Sequence, residues 1–299
     1  MTILNQTNDG LFNILIVIVR CISQLGPTSK SKLLELVYPT SIQSGKERLA
    51  SSTLRRWEQL GLFTIDDKEI VRVASGFSNS LLKSKFSNET LAECARHLLM
   101  QPSNNDLFWE TEKSLSADFT RALAWSLAMD AYSYPGNYKG VEILEQNTIA
   151  SPEHRLFTNS TRWSGFTSWA GFLGFGNQHF GCFSMDPTCA INSLVSSLVP
   201  KATDVPIAVF VESLSAKLPV LDRGKYRTLV EEKVRSSKLI ALGENELSTS
   251  LSRAILRLDE DGTLEIENKA DAKDKRVLLG RDSKVLRIIS HVRLGSKKQ

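Results

Sequence analysis

The sequence predicts a mainly α-helical protein with a helical middle domain between two similar end modules. Three observations carry this expectation. Each end holds three amphipathic segments at helical spacing. Each end then shows two short β-prone runs around a polar turn. The stretch between the ends reads as helix with little strand pattern. The boundaries fall at residues 1–76, 77–200 and 201–299.

At the N-terminal end, Leu11, Ile14, Leu15, Val17, Ile18, Val19 and Ile22 form a dense apolar helix that Asn8 or Asp9 can cap. Gly26-Pro27 ends it, and Thr28 then caps a short second helix over 29–37 with Leu33, Leu34 and Val37 on one face. Ser51 or Ser52 caps a third helix, whose Leu54, Trp57 and Leu60 recur toward a core before Gly61 stops it. Residues 62–65, the turn Asp66-Asp67-Lys68 and residues 69–73 follow as a hairpin. Three helices and a small hairpin make the winged helix-turn-helix pattern, in which the third helix usually enters the DNA major groove.

The outward side chains expected on that third helix are Ser52, Thr53, Arg55, Arg56 and Gln59, with Lys46 and Arg48 just upstream. Arginines there contact guanine edges or phosphates, and a capped helix N-terminus adds N–H donors for phosphate. Against this, Glu35, Glu47, Glu58, Asp66, Asp67 and Glu69 nearly cancel the bases between Lys30 and Arg72. A protein-binding role for the module therefore stays open.

The pattern returns near the C-terminus. Pro206 starts a helix with Ile207, Phe210, Val211 and Leu214 on its apolar face, and a second over 224–234 carries Tyr226, Leu229, Val230 and Val234. Ser248 caps a third, with Leu251, Ile255 and Leu258 buried and Thr249, Ser250, Ser252, Arg253 and Arg257 toward DNA. Residues 263–267 and 276–279 read as the two strands of a longer wing, and 268–275 as its exposed tip. From Lys269 onward the bases outnumber the acids: Lys269, Lys273, Lys275, Arg276, Arg281, Lys284, Arg287, Arg293, Lys297 and Lys298 against Asp271, Asp274 and Asp282. Lys273, Lys275 and Arg276 are thus the candidate phosphate contacts of the wing. Of the two modules, this one is expected to grip DNA more strongly.

Between the modules, 88–100 and 115–131 read as helices. The segment 162–176 alternates glycine with large aromatics, which fits a tightly packed core helix better than a platform for unpaired bases. Glu110, Glu112 and Asp118 have no second carboxylate cluster to complete a nuclease pattern. His179, Cys182 and Cys189 match no common zinc spacing, and no nucleotide-binding loop or nucleophile elbow is present. No enzymatic activity, metal or cofactor is expected.

Composition agrees with a globular, cytoplasmic protein. Hydrophobic residues at 41% and charged residues at 23% supply a core and argue against long disorder. A net charge of +4 permits a nucleic-acid partner without demanding one. The four cysteines are scattered, as buried thiols in a reducing compartment would be. The longest apolar run, Ile14 to Val19, is too short to cross a membrane and lacks signal-peptide flanks.

Three stretches resemble DpdG proteins: Asn8-Asp9-Gly10-Leu11-Phe12-Asn13, Phe108-Trp109-Glu110 with Asp118-Phe119-Thr120-Arg121-Ala122, and residues 161–176. Those proteins are accessory components of bacterial islands that insert 7-deazaguanine derivatives into DNA and restrict DNA lacking them. The resemblance spans most of the chain, carries over no catalytic residues, and implies a part in anti-phage restriction beside other encoded subunits. The combined expectation is a non-enzymatic DNA-binding subunit of a defence assembly, with double-stranded DNA and sister subunits as partners. A scaffold that holds proteins through its winged helices, and a winged-helix transcription regulator, are the alternatives.

Overall fold

The computed structural model describes residues 3–4, 12–39, 47–83, 86–110, 114–149, 151–234 and 242–296. About half of the protein is helical and its sheets are small, so it is mainly α. In chain order the elements begin with α1 (Phe12–Leu25), β1 (Thr28–Ser29), α2 (Lys30–Val37), α3 (Glu47–Gln59), β2 (Phe63–Ile65), β3 (Ile70–Val73), α4 (Ser75–Leu81) and α5 (Asn88–Leu99). Next come α6 (Ala117–Ala128), α7 (Tyr138–Thr148), α8 (Ser160–Phe172), β4 (Gly176–His179), β5 (Cys182–Met185) and α9 (Thr188–Leu198). The last are β6 (Val205–Pro206), α10 (Ile207–Lys217), α11 (Lys225–Glu231), β7 (Glu246–Leu247), α12 (Thr249–Glu260), β8 (Leu264–Glu267), β9 (Arg276–Leu279), β10 (Val285–Ile289) and β11 (His291–Leu294). The chain divides into two units, residues 1–119 with 161–173, and residues 120–160 with 174–299.

In the first unit, Ile14, Leu15, Ile18, Val19 and Ile22 form one buried stripe of α1, which packs on α2 and α3. Gly26 ends α1 in the left-handed region (φ 74°), where a residue without Cβ meets little strain. The chain turns straight into β1, which pairs with β3, and β3 pairs with β2, all antiparallel. Thr28, expected as a helix cap, is thus a strand residue opposite Val71, and its hydroxyl donates to the Gly26 carbonyl. Likewise α3 starts at Glu47, so Ser51 and Ser52 lie inside the helix and do not cap it. The proposed caps Asn8 and Asp9 lie outside the described residues, as does Leu11.

The aromatic segment is core. Trp163, Phe166 and Trp169 of α8 are buried, Trp169 meets Trp57 at 5.5 Å between ring centroids, and Phe12 stacks on Phe172 at 4.7 Å. Asp118, grouped with helix-face carboxylates in the sequence, is buried instead. It accepts the Leu4 N–H at 2.6 Å and lies 3.8 Å from Arg162, as a carboxylate removed from water requires. Arg96 closes α8 by donating to the Leu173 carbonyl at 2.7 Å.

In the second unit, β11 pairs with both β6 and β8, with His291 opposite Pro206 on one side and Glu267 on the other. α9 packs on α10 and α12. The run α9-β6-α10-α12-β8-β11, with sheet order β6-β11-β8, therefore repeats the run α1-β1-α2-α3-β2-β3, with sheet order β1-β3-β2. The counterpart of α1 is α9, so the helix at Pro206 is the second of its run and the 224–234 segment, α11, is an addition. A second addition sits between β8 and β11. There the expected wing is not formed: 263–267 and 276–279 both contain strands, β8 and β9, but these do not pair with each other. β8 pairs with β11, while β9 lies between β10 and β7. Two strands beyond the expected ones, at 285–289 and 291–294, supply those partners.

Trp57→Ala is expected to cost about 3–5 kcal/mol of stability in urea unfolding. Trp57→Phe is expected to cost less, since the indole N–H it removes donates to no described group. A pH effect follows from Asp66 in the β2–β3 turn. Its carboxyl is held below the ordinary 3.8, first by the Arg72 guanidinium and then by the Ile70 N–H. With the folded value below the unfolded one, the carboxylate supports the hairpin at neutral pH and that support is lost as pH falls through the folded value. The Ile70 amide resonance should then titrate with a midpoint below 3.8 in the wild type and not at all in Asp66→Asn.

Candidate nucleic-acid interface

Helix α3 places its apolar residues on one side and leaves a polar stripe on the other. Ala50, Leu54 and Trp57 are buried at helical spacing, while Arg48, Ser51, Arg55 and Gln59 are exposed and Ser52 is half-buried. Positions 48, 52, 55 and 59 fall on one face of the helix. Thr53 and Arg56 do not belong to it. They are 0% and 7% exposed, against the expectation that both point outward. The reason is periodicity: Thr53 sits one turn before Trp57, and Arg56 one turn before Leu60, so both flank the buried stripe. Lys46 lies outside the described residues. On the adjoining hairpin Arg72 is paired to Asp66 at 2.6 Å and Lys30 to Glu69 at 3.1 Å, while Lys68 is exposed on the turn.

The corresponding helix of the second unit, α12, is used differently. Ser248 caps it as expected, accepting the Leu251 N–H at 3.3 Å. The turn that follows is buried. Thr249 Oγ1 accepts the Ala131 N–H at 2.8 Å, and Ser250 donates to the Leu127 carbonyl at 2.8 Å. Ser252, expected outward, is 0% exposed and accepts the Leu279 N–H at 2.9 Å. Arg253 donates to the Met185 and Ala131 carbonyls and lies over the Tyr132 ring, 5.8 Å from its centroid. Burial pulls its pKa down. Arg257, though exposed, is ion-paired with Asp186. Thr249, Ser250, Arg253 and Arg257 therefore hold the unit together and do not offer a free face.

The basic C-terminal stretch is also partly spoken for. Arg276 is buried and donates to Asn245 Oδ1 at 3.0 Å, and Lys275 is half-buried and donates to the Ala270 carbonyl at 3.4 Å. Lys269 pairs with Asp204 at 2.5 Å, Arg287 with Asp259 at 2.9 Å and Arg293 with Glu265 at 2.6 Å. Lys273, Arg281 and Lys284 are exposed, with no ion pair among the described residues. Arg281 and Lys284 stand among the tail bases and outside the expected wing contacts. Asp186 and Asp222, which fix α12, gave no local signal of that role, because Arg257 and Ser248 stand tens of residues away from them in the sequence.

Among the described residues no three His, Cys, Asp or Glu side chains stand where they could hold a metal ion. Cys94 is buried, and desolvation pushes its thiol up to about 11. Cys182 and Cys189 are exposed, against the expectation of buried thiols, because they sit on the outer side of β5 and on α9 next to solvent. No helix among the described residues is long and apolar enough to cross a membrane. The model of the DpdG-like family matches residues 1–272. No curated protein and no solved structure matches the chain.

Two arginine substitutions should separate the two helices. Arg253→Ala, which leaves two carbonyls without their charged donor, is expected to lower stability by about 1.5–3 kcal/mol. Arg55→Ala, on the exposed stripe, is expected to stay within about 0.5 kcal/mol of wild type. Urea unfolding followed by tryptophan fluorescence reads both.

Proposed function

The chain belongs to the DpdG-like family, and from that premise we propose that it is a non-enzymatic, DNA-binding subunit of the 7-deazaguanine DNA modification and restriction system. Its place is the cytoplasm, beside the other proteins of that system. In this reading each six-element run is a winged helix, with helix, short strand, two helices and two further strands in the order that fold requires. The observation that carries the DNA assignment is the exposed stripe Arg48, Ser52, Arg55 and Gln59 on the third helix of the first run. Two arginines and two side chains with hydrogen-bonding groups on one helix face are what base edges and phosphates need.

The first module thus takes the role that the sequence had given to the second. Its third helix has a free polar face, whereas α12 uses its polar turn inside the unit. Lys273 remains as a phosphate contact of the second module. A second reading, a protein-holding role for the C-terminal module, is favoured by the same internal use of α12.

Fluorescence anisotropy with duplex DNA between about 50 and about 200 mM salt tests the DNA reading, because each lost phosphate contact lowers the log–log salt slope by about 0.9. Arg48→Glu/Arg55→Glu should weaken binding at least about tenfold and reduce that slope by about 2, the value for two contacts. Absence of binding at low salt, or binding indifferent to this double variant, would remove the DNA assignment and leave the protein-holding one.

A further inference from the structure

β10 is an edge strand. One side pairs with β9, and no strand among the described residues covers the other. At five residues it is longer than any other strand described. The outer strands β1, β6 and β7 have two residues each, and β8 carries Glu265 and Glu267. Natural sheets protect their edges by such shortness and charge, or by cover. β10 is neither short nor covered among the described residues, and its one charged residue, Arg287, is paired to Asp259, while Val285, Leu286 and Ile288 are 53%, 45% and 43% exposed.

The main chain of Ile288 faces the open side. The Val277 N–H donates to the Asn245 carbonyl at 2.8 Å, toward β7. Within a strand the N–H and C=O of one residue point the same way, so Val277 offers neither to β10. Ile288, opposite Val277, is therefore in a non-hydrogen-bonded pair, and its N–H and C=O point outward. The register shift between Val285 and Arg287 leaves Leu286 as an extra residue beside it. The turn leading into the strand holds Arg281 and Lys284, both exposed, together with Asp282. Arg287 is exposed on the strand and paired to Asp259. The open edge thus carries Val285, Leu286 and Ile288 beside one paired arginine, and is basic at its start.

We infer that the open side of β10 binds an extended, acidic segment of a partner protein, which joins the sheet as a fourth strand. Main-chain hydrogen bonds supply the affinity in such strand addition, and alternate side chains supply the choice of partner. Carboxylates on the incoming strand answer Arg281 and Lys284, and its apolar residues cover Val285, Leu286 and Ile288. A second copy of β10, whose one charged residue is Arg287, brings no carboxylate to answer Arg281 and Lys284. Duplex DNA meets Val, Leu and Ile along the strand where phosphates need bases. This surface belongs to the second unit and the α3 stripe to the first, and the inference does not rest on the DNA reading.

The test uses the full chain and a short fluorescein-labelled peptide alternating glutamate and valine, with a lysine and valine peptide as control. The acidic peptide should bind and the basic one should not. Ile288→Pro removes an outward N–H, which an edge strand tolerates, and should weaken binding at least about tenfold with the melting temperature retained. Ile288→Thr keeps the N–H and should stay within about threefold. If the proline variant unfolds, Leu286→Glu/Ile288→Glu repels the same peptide through exposed positions and should give the same loss. Absence of acidic-peptide binding, or binding unchanged in these variants, overturns the inference. Sedimentation showing a dimer that Ile288→Pro dissolves would assign the edge to a second copy. Duplex DNA displacing the peptide, with DNA binding lost in Arg281→Glu/Lys284→Glu but kept in Ile288→Pro, would assign it to phosphate. Either result also overturns the inference, and neither touches the Arg48 and Arg55 outcome.

Discussion

Asp222 is buried, and its charge is answered by the Ser248 N–H and hydroxyl, each at 2.6 Å, with Arg227 at 3.6 Å. A carboxylate removed from water needs such donors, and here the donors are the cap of α12. Fixing Ser248 fixes where the helix starts and how it is turned. Thr249, Ser250 and Ser252 then fall against Ala131, Leu127 and Leu279, and Arg253 and Arg257 reach Met185 and Asp186. A polar turn engaged this fully rigidifies the unit and is costly to open. What the second unit can present to a partner depends on that arrangement.

α3 has the same position in its own run, yet its polar face stays free. Its buried side is centred on Leu54, Trp57 and the aromatic residues of α8, with Thr53 and Arg56 at its flanks, so Arg48 and Arg55 have no internal work. Two runs with one topology thus present different chemistry, and the function of each follows from its side chains and not from its topology.

The β9–β10 insertion adds another difference. It interrupts what would be a simple wing between β8 and β11 and leaves an apolar strand edge. In a chain whose family belongs to a multi-protein system, such an edge is a natural place for another subunit.

Much of the helical pattern was legible from residue order, because it depends on local spacing. The stripes of α1, α3 and α12, the cap at Ser248, the β2–β3 hairpin and the buried aromatic helix α8 are all written within windows of about 20 residues. The interface was less legible. Thr53 and Arg56 were misplaced by one helical face, and Thr249, Ser250 and Ser252 were taken for surface because serine and threonine usually are. Their burial depends on Ala131, Leu127, Asp222 and Leu279, which the chain brings near only on folding. The same holds for strand pairing, since 263–267 and 276–279 each read as strand but only the later strands β10 and β11 decide that they part. Residue order alone determined most of the helices, the β2–β3 hairpin and the family. Tertiary structure decided which polar side chains remain for a partner, because a hydrogen bond or ion pair across long sequence separation leaves no period to read.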